Sequence, residues 1–183
     1  SKKAQREVQR SRALIDTFVA KGKRIYGVTT GFGKLKNVAI SREDTAELQL
    51  NLIRSHSAGV GEPLPLPFVR AALFVRINSL SQGYSGVRLE LLERACQLLN
   101  KNVIPVVPSQ GSVGASGDLA PLSHMGLLFF GEGEAWYRGK KYSGAQALRH
   151  AHIKPLPFTA KEGLAWNNGT SVMLGMGALA VYE

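Results

Sequence analysis

Gly111-Ser112-Val113-Gly114-Ala115-Ser116-Gly117-Asp118-Leu119-Ala120-Pro121-Leu122 has the tripeptide Ala115-Ser116-Gly117 at its centre. If the backbone nitrogen of Gly117 reaches the carbonyl carbon of Ala115, a five-membered ring closes. Loss of two waters then turns Ser116 into a dehydroalanine-like methylidene. Glycine suits the attacking position because it has no Cβ and tolerates the backbone angles that close approach demands. Ala115 and the flanking glycines keep the turn uncrowded. The product is an electrophile made from the chain itself, of a kind no ordinary side chain supplies. Ala-Ser-Gly alone is also a common turn, so its flanks have to decide.

Those flanks are long and unusual in composition. GSVGASGDLAPLSH, residues 111–124, resembles the signature of the aromatic amino acid ammonia-lyase and aminomutase family, in its histidase branch, and the likeness extends from Ile25 to Met173. It implies a mainly α fold: the N-terminal domain of the helical ammonia-lyase fold, with glycine-rich active-site loops, leading into a long-helix bundle that is mostly absent. Residues 1–169 are expected to form the domain carrying the turn, and 170–183 the start of the bundle. The chain begins without methionine and ends inside an apolar run, and family members are considerably longer, so it is expected to be part of a longer protein.

The elements around the turn read mostly as helices. Downstream, Leu119 to Phe130 is apolar nearly all round, which predicts a helix buried on every side. Upstream, Val103 to Pro108 is twice interrupted by proline and predicts an extended lead-in. Val87 to Leu99 predicts a helix stopping at Asn100, and Val69, Leu73, Ile77 and Leu80 align on another that ends near Gly83. Pro63, Pro65 and Pro67 predict an extended connection. Ser41 and Asp44 form a capping-box-like pair opening a helix with Leu48, Leu52 and Ile53 on its buried face, which breaks at Gly59-Val60-Gly61. Ala4, Val8, Ile15, Phe18 and Val19 line one face of a helix over 2–20, stopped by Gly22. Past the turn, residues 135–142 predict a small hairpin. Ser143 predicts a cap for a short helix to Ala151, Thr159 and Glu162 repeat the capping-box spacing, and Ser171 to Glu183 begins an apolar helix.

An ammonia-lyase must expel an amine, a poor leaving group, and remove a weakly acidic neighbouring C–H. The resemblance implies a methylidene-imidazolone (MIO) formed from Ala115, Ser116 and Gly117, with no metal or nucleotide cofactor. Asp118 has two readings, an aid to ring closure or a cap for the helix starting at Leu119. Tyr26, in Tyr26-Gly27-Val28-Thr29-Thr30-Gly31-Phe32-Gly33, reads locally as a loop-anchoring aromatic. The resemblance makes it the base that takes the substrate β-proton from a flexible lid. A free phenol titrates near 10, so such a base must be tuned or act in a concerted step. Ser55-His56 sits at a helix end where the dipole favours a histidine. In the family this pair recognises the substrate side chain, and an imidazole can bond another imidazole or a phenol. Asn168 reads locally as an Asn-Gly turn. The resemblance makes it the asparagine that contacts the electrophile or the substrate.

The implied reaction is L-histidine to trans-urocanate plus ammonia, with His56 orienting the imidazole. Three residues depart from the histidase pattern. Thr29 replaces a common Asn, Trp166-Asn167 replaces an aliphatic pair, and Ser171 stands where histidases commonly carry Gln. Tyrosine or phenylalanine ammonia-lyases and 2,3-aminomutases would share every motif. Family members are homotetramers with shared active sites, and further site residues lie past Glu183, so these residues alone are expected to be inactive.

Of the +10 formal charge, +6 falls in residues 1–24, where eight basic residues face Glu7 and Asp16. A basic nucleic-acid-binding module is the non-enzymatic alternative. Phe18 is the one aromatic residue among these charges and falls on the apolar face, so a solvated helix face is favoured and no nucleic-acid partner is expected. There is no membrane-spanning run and no leader pattern, so no membrane partner is expected either. Cys96 is the only cysteine, which fits a reducing, cytoplasmic location, and its apolar helical setting predicts a buried, inert thiol. No Cys/His cluster has metal-ligand spacing, and His150 and His152 are expected at the surface.

Overall fold

The computed structural model describes residues 1–31 and 44–182. Phe32 and Gly33 of the Tyr26 loop, the Ser41 half of the expected capping pair, and Glu183 lie outside the described residues.

Eight helices and five short strands are assigned among the described residues. Helix α1 (Lys2–Ala20) starts with the Ser1 hydroxyl accepting from the Ala4 amide and ends before Gly22 at φ +60°. Of its expected apolar face only Val8 is fully buried. Helix α2 (Asp44–His56) buries Leu52 and Ile53. Helix α3 (Leu66–Leu80) begins with Pro67 in its first turn, where a missing N–H costs nothing. Helix α4 (Leu89–Asn100) turns Leu91, Leu92, Ala95 and Leu98 inward. Cys96 on its flank is half-buried rather than enclosed, and burial, then Glu93, pushes its thiol pKa up, which keeps it unreactive.

The proline-rich connection is more ordered than expected. Strand β1 (Val60–Pro63) pairs antiparallel with β3 (Pro108–Gln110), through an irregular register. Strand β2 (Ile104–Pro105) joins a second sheet in the order β2-β4-β5, with β4 (Glu134–Tyr137) and β5 (Lys140–Ser143) forming the expected hairpin. Its two-residue loop, Arg138-Gly139, takes positive φ at both positions (50° and 74°), as a type I′ turn requires. The Ser143 capping box closes with Gln146 and opens α6 (Gly144–His150). His150 and His152 are exposed.

Helix α5 (Leu119–Leu127) passes into a 3-10 turn (Leu128–Phe130) and is buried over most of its surface. It packs against α2 and against α7 (Glu162–Asn167). Thr159 and Glu162 depart from the expected capping box. The Glu162 carboxylate does accept the Thr159 amide (2.8 Å), but the Thr159 hydroxyl donates to that carboxylate instead of capping the helix. The reason is a longer-range ion pair: Glu162 is fully buried and takes Arg88 Nη2 at 2.8 Å, Nε at 3.0 Å and the Arg88 amide at 2.9 Å. Helix α8 (Ser171–Tyr182) packs along α3, where Gly175 fits against Ala72 with no room for a Cβ (2.7 Å to the Ala72 nitrogen). No helix among the described residues is long and apolar enough to cross a membrane.

Candidate active site

The Ala115-Ser116-Gly117 turn projects between β3 and α5, with Ala115 and Ser116 exposed and Gly117 buried. Gly117 has φ +110°, a conformation that L side chains rarely adopt. A Cβ there would lie 2.5 Å from the Gly169 carbonyl oxygen. Two glycines far apart in sequence thus touch backbone to backbone, and the Asp118 amide donates to that same carbonyl at 2.7 Å. The structure therefore brings the turn and the Asn168-Gly169 loop together. A tripeptide whose serine is open and whose glycine takes a positive φ against a second glycine fits the MIO that the resemblance implies.

Asp118 is 4% exposed and does not cap the helix that follows it. Its Oδ2 accepts the amides of Val172 and Met173, both at 2.9 Å, and its Oδ1 accepts the Ser112 hydroxyl at 3.1 Å. It is the N-terminal cap of α8. One carboxylate therefore ties the turn to the helix leading out of the Asn168 loop, and its negative charge sits favourably at that helix's positive end.

A second clamp joins the turn to the Ser55-His56 segment. Gly111 and Gly59 approach so closely that a Cβ on Gly111 would lie 2.9 Å from the Gly59 Cα. Gly59 in turn donates its amide to Nε2 of His124 on α5, at 3.0 Å. Burial pushes the His124 pKa down, which favours the neutral ring this acceptor role needs.

His56, at the end of α2, has its Nδ1 2.9 Å from the Leu52 carbonyl and 3.1 Å from the Ser55 hydroxyl oxygen. A carbonyl only accepts, so Nδ1 carries the hydrogen and Nε2 of the neutral ring keeps its lone pair. Ser55 donates its hydroxyl to the same carbonyl at 3.0 Å. In its neutral form the ring therefore offers Nε2 as an acceptor.

Tyr26 is 54% exposed and sits in the turn Ile25–Thr29. That turn is held from within: Thr29 Oγ1 accepts the Ile25 amide at 2.9 Å and donates to the Lys23 carbonyl, and the Thr29 and Val28 amides both return to Ile25. Thr29 therefore staples the tyrosine's turn.

Trp166 and Asn167 turn inward. Trp166 is fully buried, donates Nε1 to the Leu122 carbonyl at 2.9 Å and meets Phe129 edge-on at 4.6 Å between centroids. Asn167 donates to Ser123 at 3.4 Å. This departure is absorbed in the core behind the turn.

Arg76 went unsuspected. It is 4% exposed, and its Nη2 donates to the carbonyls of Ala165 and of Asn168, the latter at 3.0 Å. Burial lowers its pKa to about 10, against a raising influence from Asp118, so it stays charged at neutral pH. It lines a cavity of about 360 Å³ with Lys161, Asn168 and Ser171. Lys161 is itself pushed down, by burial and then by Arg76. The signal was present in the sequence: an arginine in the apolar register of Val69, Leu73 and Leu80. No group of three His, Cys, Asp or Glu able to hold a metal occurs among the described residues.

A sequence model of the aromatic amino acid lyases matches residues 1–183. Histidine ammonia-lyase of Caldanaerobacter subterraneus subsp. tengcongensis is 52% identical over 183 residues, all of this chain and 36% of that protein. Among solved structures, histidine ammonia-lyase from Trypanosoma cruzi superposes with a TM-score of 0.92 at 41% identity, covering 100% of this chain and 35% of that one. Tyrosine aminomutase from Streptomyces globisporus gives 0.93 at 41% identity, covering 100% and 34%. The chain spans about a third of the length of these relatives. With its mostly helical architecture and its Gly117–Gly169 junction, it belongs to the aromatic amino acid lyase family.

Proposed function

We propose that the protein is a carbon–nitrogen lyase that deaminates L-histidine, without oxidation, to trans-urocanate and ammonia. The observation that carries this reading is the Gly117–Gly169 contact, which presents an exposed Ser116 beside Asn168. The MIO that Ala115, Ser116 and Gly117 would form supplies an electron-poor exocyclic carbon, the sink that lets a poor amine leaving group depart. Tyr26 Oη takes the β-proton in a step concerted with departure of the amine. The exposure of Tyr26 on a turn held by Thr29 supports a base presented to the substrate. His56 Nε2 accepts from the ring N–H of the substrate imidazole, an assignment supported by the fixed Nδ1–H. Asn168 orients substrate or electrophile, with its backbone braced by Arg76. Asp118 holds the turn in register with α8. The likeness to histidine ammonia-lyases supports the substrate. Assembly as a homotetramer with shared sites, in the cytoplasm, belongs to the same reading.

A second reading, a tyrosine or phenylalanine ammonia-lyase or 2,3-aminomutase, draws on Ser171 and on a 41% identity to tyrosine aminomutase, the same as to the Trypanosoma cruzi structure. Incubating the full-length protein with L-histidine, L-tyrosine and L-phenylalanine separates them by the absorbance of each unsaturated acid. Urocanate from histidine is expected. A β-amino acid, or turnover of tyrosine alone, would overturn the assignment. An intact mass equal to the gene-encoded value would overturn the chemistry altogether.

A further inference from the structure

We propose that Arg76 is a positioning residue for the electrophile, bracing the Ala165–Gly169 backbone as a fixed stop against which Gly117 is pressed. This rests on the reading that Ala115-Ser116-Gly117 cyclises. Arg76 reaches from α3 to the last turn of α7 and to the loop that follows: its Nη2 bonds the Ala165 and Asn168 carbonyls, and its Nη1 lies where a Gly169 side chain would have to be. On the opposite side, Gly169 bears on Gly117, and its carbonyl holds the Asp118 amide. The loop is therefore gripped between a buried cation and the turn. Asp118 acts on Arg76 through its charge and on the loop's exit through α8, so the two charges straddle the contact.

Burying a guanidinium is costly, and here its Nε has no partner among the described residues. Among the described residues no carboxylate forms an ion pair with it; backbone carbonyls at the end of α7 and in the loop that follows receive it. A cation kept in such a place without an ion-pair partner is better explained by the rigid geometry it imposes than by net stability. A planar guanidinium can place Nη2 on two carbonyls and Nη1 against Gly169 at the same time, whereas an ammonium has only one nitrogen to place.

Cyclisation is a step that depends on such bracing. The Gly117 nitrogen bonds the Ala115 carbonyl carbon, and its proton passes to the carbonyl oxygen. That oxygen leaves as water with the Ser116 N–H proton, forming the C=N bond. The Ser116 hydroxyl then leaves as the second water with the Ser116 α-proton, forming the exocyclic C=C bond. No oxidant or reductant is needed. Its rate depends on how closely the Gly117 nitrogen is held to the carbonyl, and a displacement of about 1 Å costs on the order of 100-fold.

The test uses the full-length protein, with Arg76→Lys, Arg76→Gln, Gly169→Ala and the Arg76→Lys/Gly169→Ala double variant. Loss of two waters is followed by intact mass after refolding, on material whose thermal melting is measured in parallel. Arg76→Lys is expected to cyclise about 10- to 100-fold more slowly among folded chains. Gly169→Ala, which drives a methyl into Nη1, is expected to be slow as well. In the double variant the two losses should not add, because the collision is gone. Arg76 variants that cyclise at the parent rate, or losses that multiply in the double variant, would overturn the role of Arg76 alone. If Arg76→Gln does not fold, the comparison of Gly169→Ala with the double variant still decides. A parent protein that keeps both waters would instead overturn the proposed function.

Discussion

Asp118→Ala offers the sharpest test of how the turn is held. In the folded chain Oδ2 receives the amides of Val172 and Met173, both at 2.9 Å, from a carboxylate 4% exposed. Replacing a helix-capping Asp by Ala ordinarily costs about 0.5–2 kcal/mol. A charged acceptor raises the worth of each bond to about 1.5–3 kcal/mol. Val172 is buried and cannot recruit water once its acceptor is gone, whereas Met173 is largely exposed and partly recovers. A local loss of about 2–3 kcal/mol follows, chiefly from the Val172 amide. At about 1.4 kcal/mol per factor of ten, the first amides of α8 should exchange about 30- to 150-fold faster with deuterium. Asp118→Asn keeps an oxygen and loses only charge assistance, so about 1 kcal/mol, or roughly fivefold, is expected there.

The assay is hydrogen exchange on the full-length protein, resolved to the segments 119–124 and 171–176. The local alternative, in which Asp118 caps the helix from Leu119, predicts the opposite pattern. If exchange accelerates at 119–124 while 171–176 stays protected, the long-range cap is wrong. If neither segment changes by as much as threefold, Asp118 holds nothing and its place in the site has to be abandoned.

Gly117→Ala places a Cβ 2.5 Å from the Gly169 oxygen at a φ of +110°, so the chain should keep both waters and lose activity; a dehydrated mass would refute this. Tyr26→Phe removes the proposed base without touching the turn. The mass should stay short by two waters while kcat falls about 100- to 10,000-fold, and undiminished turnover would dismiss Tyr26. His124 is neutral in the fold and its pKa is lowered by burial, so as pH falls below about 6.5 the unfolded chain takes up the proton first. Stability should therefore decline from that pH downward and level off only below the depressed folded value. His124→Gln, which still accepts from Gly59, should flatten that part of the denaturant-midpoint profile; an unchanged slope would assign it to other groups. His56→Phe should lower kcat/KM for histidine about 5- to 150-fold through loss of one hydrogen bond in the closed site, and an unaltered value would remove His56 from recognition.

What the sequence disclosed was what is local. The chemistry of Ala115-Ser116-Gly117 depends on three consecutive residues, and the hairpin on Arg138-Gly139, so both could be read without a fold. Helices α1 to α5 and α8 were legible, within the described residues, because apolar runs and the breakers between them report each one separately; α6 was announced by its Ser143 cap and α7 only by the Thr159–Glu162 spacing. Asp118 was half legible. A capping rule looks at the next few residues and points to Leu119, but its real partners stand 54 and 55 positions away. The pairing of Val60–Pro63 with Pro108–Gln110 is made by backbone groups, so the prolines were read for what they forbid rather than for the short strands they flank. Arg76 could have been noticed as a charge in an apolar stripe, but what it braces is a loop roughly ninety residues on. Trp166 and Asn167 depart in sequence from the histidase pattern, and their burial shows that they bear on the scaffold behind the turn.

Under the proposed reaction the site separates electrophile from recognition, and the two segments are joined by glycines. Gly117 meets Gly169, and Gly111 meets Gly59, each pair too close for any side chain. The first contact fixes Asn168 relative to the turn; the second fixes the segment that begins at Ser55-His56. Substrate choice under the proposed reaction therefore rests on His56 rather than on the turn. With Nδ1–H given to Leu52, the Nε2 of a neutral His56 accepts, so it is satisfied by an imidazole N–H or a phenol O–H and left unpaired by a phenyl ring. An unpaired acceptor in a closed site costs about 1–3 kcal/mol, enough to set phenylalanine apart from the other two. Histidine and tyrosine both satisfy that atom. The choice between them falls to groups that meet the far side of the substrate ring, and a ring nitrogen able to accept, which the phenol places nowhere equivalent, is the chemical difference those groups have to read.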